Sequence, residues 1–131
     1  MKSFKQIYKI KASVNKVFDA LTNPVTIEKW SGSPAEMDNK KGSNFNLWNG
    51  FITGTNIEVI QNKKLVQNWY GGNWELPSVV TFDLNENPDE TSTLILTHEN
   101  VPEDSEYDFE KGWKEYYIGK IIKMFEENIS R

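Results

Sequence analysis

The stretch from Ser105 to Arg131 constrains the fold more than any other, because its apolar residues recur at helical spacing. Phe109, Trp113, Tyr116, Tyr117, Ile118, Ile121, Ile122, Met124, Phe125 and Ile129 fall mostly on one broad arc when placed at about 100° per residue. The remaining stripe holds Gly112, Glu115, Gly119, Lys123 and Glu126 and is expected to face water. Ser105 with Asp108 fits a capping box, and Glu106, Asp108 and Glu110 suit the positive end of a helix dipole. About 24 residues at about 1.5 Å each make a rod of roughly 36 Å, the width of a small domain. A rod with so wide an apolar face needs an extended surface to cover.

The preceding chain supplies one. Phe4, Gln6, Tyr8 and Ile10 alternate with Lys5, Lys9 and Lys11, Ile7 being the exception, so residues 3–11 read as a half-buried strand. Ser13 caps a short helix with Val14, Val17, Phe18 and Leu21 on one face. Asn23-Pro24 restarts a second helix, which carries Val25, Ile27 and Trp30 and stops at Gly32. From Ala35 to Asn100 short alternating runs are separated by turn residues, with Asn49-Gly50 a strong hairpin signal between Phe45–Trp48 and Phe51–Ile60. Asn87-Pro88-Asp89 joins Val79–Leu84 to Thr93–His98 in the same way. Strand, two short helices, an antiparallel meander and a long helix predict an α+β helix-grip fold, the sheet curved around the terminal helix.

Size and composition limit what such a chain does. At 131 residues it is expected to be one domain over residues 1–131, large enough for a core without staples. It has no cysteine, which excludes disulfides and thiolate metal sites and suits a reducing, cytoplasmic setting. Lys2 and Lys5 follow Met1 with no apolar run, so no leader is expected, and no stretch approaches the ~20 apolar residues of a membrane span. A net charge of -4 with dispersed lysines argues against nucleic acid as a partner. Aromatic residues make up 13% of the chain, tryptophan five times, enough to line a cavity or anchor a partner.

Particular words inside this order resemble the START-like (SRPBCC) superfamily, and more closely the C-terminal domain of activator of heat-shock protein 90 ATPase. They are Val14-x-x-Val17-Phe18-x-Ala20-Leu21-Thr22-Asn23-Pro24 with Trp30, Gly42-x-x-Phe45, Gly50-x-Ile52-x-Gly54-x-Asn56, and Leu65-Val66-Gln67-x-Trp69 with Trp74. Thr93-Leu94-Ile95-Leu96 running into Thr97-His98-Glu99-Asn100-Val101-Pro102, and Gly112-Trp113-x-x-Tyr116-Tyr117, complete the set. The resemblance spans almost the whole chain and implies a stand-alone, non-catalytic homologue with a groove or hydrophobic cavity between sheet and terminal helix. It implies no cofactor. The partners it implies are a heat-shock protein 90-type chaperone, in a stress-response setting, or a small hydrophobic molecule.

The candidate residues follow. Trp30, Phe45, Trp69, Phe82, Leu96, His98, Trp113 and Tyr117 are expected to line the cavity, and Trp74 and Phe109 to form a partner surface. Trp113 and Tyr117, four apart, either roof a cavity or are ordinary core, and Gly50 and Gly54 either open space on one strand face or mark a bend. His98 is the one histidine and is expected to end a strand as a hydrogen-bonded core residue. Glu103, Asp104, Glu106, Asp108 and Glu110 lack calcium-loop spacing and read as a solvated helix start, so no metal site is expected. The competing classes are a polyketide cyclase-like enzyme, for which His98, Glu58 and Gln67 are the candidate acid–base groups, and a lipid carrier, which needs a cavity of a few hundred Å3, about 300 at the least.

Overall fold

The computed structural model describes residues 2–71, 76–102 and 108–129, with the side chains of 128 and 129 excepted. β1 (Lys2–Ile10) is followed by α1 (Val14–Thr22) and α2 (Pro24–Ser31). Six strands come next: β2 (Ala35–Glu36), β3 (Asn44–Leu47), β4 (Ile52–Ile60), β5 (Lys64–Gly71), β6 (Ser78–Glu86) and β7 (Ser92–Val101). A terminal helix, α3, runs over residues 109–129. The strands form one antiparallel sheet in the order β1-β7-β6-β5-β4-β3-β2, so the first strand closes the meander by pairing with the last. The helix-grip α+β architecture is therefore present.

Local sequence explains most boundaries. Asn23 caps α2 through its side-chain oxygen, which accepts from Val25 N at 3.0 Å, and Pro24 occupies the first turn, where its missing N–H costs nothing. Gly32 ends α2 in the left-handed conformation at φ 75°. Ser13 precedes α1, but its hydroxyl bonds Asn15 rather than a backbone N–H of the helix. Alternation holds on β7, where Leu94, Leu96 and His98 point inward, and on β1, where Ile7 points out and is exposed. Asn49 and Gly50 form the two centres of the β3–β4 turn, at φ 58° and 86°.

Two expectations fail here. Gly50 lies in that turn and shares no strand face with Gly54. Gly54 instead sits between β3 and β5: a Cβ there would meet Asn68 O at 1.9 Å and the Phe45 ring at 2.6 Å, so the missing side chain seats Phe45. The helix is the second. It starts at Phe109 with Asp108 as its cap, the Asp108 side chain accepting from Lys111 N, whereas Ser105 and Glu106 lie outside the described residues. It also widens into a π turn over Trp113–Tyr117, with Ile118 N bonding Trp113 O. A wider turn breaks the constant angular step on which the helical arc was drawn. Gly112 is accordingly buried and Tyr116 is 54% exposed, the reverse of the expected faces.

Candidate functional site

The π turn has a local cause. Glycine at position 119 leaves room for the Lys114 carbonyl, which would lie 1.9 Å from any Cβ there. The widened turn presents Trp113 and Tyr117 together to the concave face of the sheet, with ring centroids 4.6 Å apart. Trp113 stacks on Trp69 of β5 at 4.9 Å and meets Phe82 of β6 edge-on at 5.7 Å. Tyr117 packs on Trp30 of α2 at 4.9 Å and on Trp48 at 5.7 Å. Offset and edge-to-face pairs of this kind each add to simple area burial.

His98 lies at the centre of the helix start, fully buried. Its ring meets Phe4 at 5.4 Å, Phe109 at 5.5 Å and Trp69 at 5.7 Å. An indole nitrogen only donates, so Trp113 Nε1–H, 3.1 Å from His98 Nδ1, makes that nitrogen the acceptor. The ring proton is then on Nε2, which donates to Ser78 Oγ at 2.8 Å. Both nitrogens are spoken for in the neutral form, and burial pushes the pKa down to about 4. A second polar chain runs along the sheet floor. Trp69 Nε1–H donates to Gln67 Oε1 at 2.7 Å, Gln67 Nε2 to Asn56 Oδ1 at 2.9 Å, and Asn56 Nδ2 to Asp38 O and Ser43 Oγ, each at 3.0 Å. Satisfied amide chains of this kind rigidify a core and hold side-chain positions.

Seven of the eight expected cavity residues, namely Trp30, Trp69, Phe82, Leu96, His98, Trp113 and Tyr117, are buried and lie in this sheet–helix layer; Phe45 is buried too, beside Gly54. Among the described residues they pack ring against ring across that layer. An aromatic cleft beside them has room for about 30 Å3. It opens between the β3–β4 turn and the π turn, framed by Phe51 and Tyr116 with Trp48, Trp113 and Tyr117 behind. Trp48 and Phe51 were not among the expected residues. The available signal was their place on either side of Asn49-Gly50, which puts both at a hairpin tip.

Two further placements differ from expectation, those of Phe109 and Glu58. Phe109 is buried against His98, so it is core and no exposed anchor. Trp74 lies outside the described residues, as do Glu103, Asp104 and Glu106; Asp108 and Glu110 are exposed at the helix start. Glu58 does not join His98 and Gln67, because a β-bulge between Asn56 and Glu58 turns it to the outer face opposite Val66, where it is exposed.

A curved antiparallel sheet gripping a helix through an aromatic layer defines the helix-grip class of α+β domains. Within that class, the family model for activator of Hsp90 ATPase homolog 1-like proteins matches residues 11–126, and the chain belongs to that family. Activator of 90 kDa heat shock protein ATPase homolog 2 from Mus musculus is 27% identical over 115 residues, covering 87% of this chain and 35% of the relative. The chain thus spans about a third of the length of the curated relatives it matches, 35% in that case. Among solved structures, an HSP90 activator from Plasmodium falciparum superposes with a TM-score of 0.86 at 28% identity, covering 95% of this chain and 96% of that one. CalU16 from Micromonospora echinospora gives 0.77 at 25% identity, covering 98% and 80%. No helix among the described residues is long and apolar enough to cross a membrane.

Proposed function

We propose that the chain forms one START-like domain over residues 1–131 that acts without catalysis, in the cytoplasm, by binding a heat-shock protein 90-type chaperone. The observation that carries this reading is the aromatic packing of the sheet–helix layer: among the described residues the cleft there has room for about 30 Å3, far from the ~300 Å3 or more of a carrier cavity, while Phe51 and Tyr116 stay exposed at its rim. Membership of the activator family and the chaperone named for the mouse and Plasmodium relatives support the choice of partner. The eight buried residues from Trp30 to Tyr117 serve as the rigid base of this rim. Aromatic side chains on a rigid base lose little entropy on docking and often dominate interface energies. The enzyme reading has less support, since His98 is engaged on both nitrogens and Glu58 faces away.

The test is calorimetric titration of the purified protein against the purified chaperone, beside a Phe51→Ser/Tyr116→Ser variant. Binding is expected for the native protein and a loss of about tenfold or more for the variant, the scale of a truncated hot spot. Absence of native binding, or equal affinity of an intact, folded variant, sinks the proposal.

A further inference from the structure

The two edges of the sheet are built differently. β2 closes one edge with two residues, whereas β1 presents nine, Lys2–Ile10, at the other. Among the described residues no strand pairs with the outer side of β1, so about every second residue there turns an N–H and a C=O towards an open edge. β1 holds neither glycine nor proline, and from Phe4 to Ile10 its register against β7 runs without a shift. Of the devices that blunt an edge, only lysine is present. Lys5 and Lys9 flank Ile7 on the outer face of the sheet, and Ile7 is 67% exposed. On the inner face Phe4, Gln6 and Tyr8 are half-buried. Gln6 Nε2 donates to Glu110 O at the start of α3 at 2.9 Å, and Gln6 Oε1 accepts from the Tyr8 hydroxyl. An added strand therefore meets an ordered flank on both faces.

We propose that β1 docks an acidic, extended segment of another protein as an eighth strand of the sheet, with carboxylates against Lys5 and Lys9 and an apolar residue against Ile7. Charge selects this occupant. Lys2, Lys5, Lys9, Lys11 and Lys16 all precede the first acid of the chain, Asp19, in a protein of net charge -4. Lys5 makes no ion pair among the described residues, and Lys9 meets Asp89 at 3.2 Å with both side chains more than half exposed, a pairing worth little and readily exchanged. Glu86 and Glu90 line a hollow with Lys9 and Lys11 at the Ile10 end of the strand. A second copy fits the edge poorly: β1 paired antiparallel with itself about Ile7 sets Lys5 directly opposite Lys9 twice, and like charges so placed destabilise a pair. An acidic strand reverses that sign. Main-chain hydrogen bonds then supply affinity and alternate side chains supply specificity. β7, β6 and β5 separate this edge from the β3–β4 turn that carries Phe51, so it serves an interaction additional to the chaperone contact, and its test needs no chaperone.

The probe is the peptide acetyl-Thr-Glu-Thr-Val-Thr-Glu-Thr-amide, whose glutamates and valine match Lys5, Lys9 and Ile7 in an antiparallel pairing. Two comparison peptides isolate the causes: one carries lysine for glutamate, and one is N-methylated at every residue, which keeps the charges and removes the backbone donors. Titration of 15N-labelled protein is expected to move the amide signals of residues 4–10 and leave those of β2 to β5 in place, and to slow hydrogen exchange along β1. Neither comparison peptide should bind. Lys5→Gln/Lys9→Gln, at two exposed positions, should weaken the glutamate peptide about threefold to tenfold, the scale of two exposed ion pairs, and added salt should weaken it in the native protein. Unmoved β1 signals at about 1 mM peptide, equal binding of either comparison peptide, or native affinity in the folded double variant overturns the proposal. So does protection of the β1 amides that rises with protein concentration before any peptide is added, which assigns the edge to a second copy.

Discussion

The two halves of the terminal helix bury similar faces by different means. From Phe109 to Tyr117 the helix widens at Trp113–Tyr117, its large inward residues are aromatic, and Trp113 and Tyr117 bring polar atoms into the core. From Ile118 to Ile129 it is a regular α-helix whose buried residues, Ile118, Ile121 and Phe125, carry no polar side-chain atom. The aromatic half needs Gly119, Ser78, Gln67 and Asn56 around it to work. The aliphatic half needs only shape. Outside the helix the contrast inverts: the cleft at the aromatic end has room for about 30 Å3, whereas beside Met124 and Phe125 a groove of about 540 Å3 carries polar walls from α1, α2 and the β4–β5 turn. An aromatic core concentrates specificity at one end and leaves the other free to be generic.

The hardest blow to that contrast is Gly119→Ala. Helix propensity alone favours alanine by about 1 kcal/mol. The Lys114 carbonyl, 1.9 Å from the new Cβ, demands instead that the π turn reset and carry Trp113 and Tyr117 with it. A loss of about 3 kcal/mol or more is expected in urea denaturation, at the upper end of single-residue effects. A variant as stable as the native protein would show that the widened turn is not required.

Acid should act through the aromatic half as well. The folded pKa of His98 is about 4, below the ordinary 6.5, so the unfolded chain takes up the proton first. Its contribution is therefore intact above about pH 6.5, declines as pH falls towards about 4, and levels off below. A shift of that size corresponds to about 3 kcal/mol across the window. His98→Gln should flatten this part of the stability–pH curve; an unchanged slope assigns it to other groups.

Smaller effects separate the halves further. Gln67→Met keeps volume but strips the partners of Trp69 Nε1 and Asn56 Oδ1, and should cost about 2 kcal/mol in thermal melts. Ile121→Val, a methyl lost from the aliphatic half, should cost about 1 kcal/mol. If the two costs come out equal, the polar chain holds nothing that simple packing does not. Tyr117→Phe should be smallest of all, within about 0.5 kcal/mol of native or slightly stabilising, because the lost hydroxyl has no partner in the protein. A clear loss there would mean that the hydroxyl is already bonded in solution.

Much of this architecture is legible in the chain. Period-two alternation in β1, β6 and β7, the Asn49-Gly50 and Asn87-Pro88-Asp89 turns, and the Asn23-Pro24 and Gly32 helix signals all depend on neighbours in sequence, and they recur in the structure. Inward placement of Leu94, Leu96 and His98 follows from the same alternation. The failures share a cause. Glu58 is turned out by a bulge, Gly112 and Tyr116 exchange faces at a π turn, and Phe109 is drawn beneath His98. Each is a departure from the constant period on which a sequence reading of faces relies.

The sequence by itself determined the order of elements and the faces of the regular strands, because periodicity and turn chemistry are properties of adjacent residues. Only the tertiary structure decided that the aromatic residues pack ring against ring between sheet and helix, that His98 is held neutral between Trp113 and Ser78, and that the Trp48 and Tyr117 polar atoms meet no partner among the described residues. Volume filling and hydrogen-bond pairing depend on side chains that meet across distant segments, and no local pattern encodes which atoms will be left over.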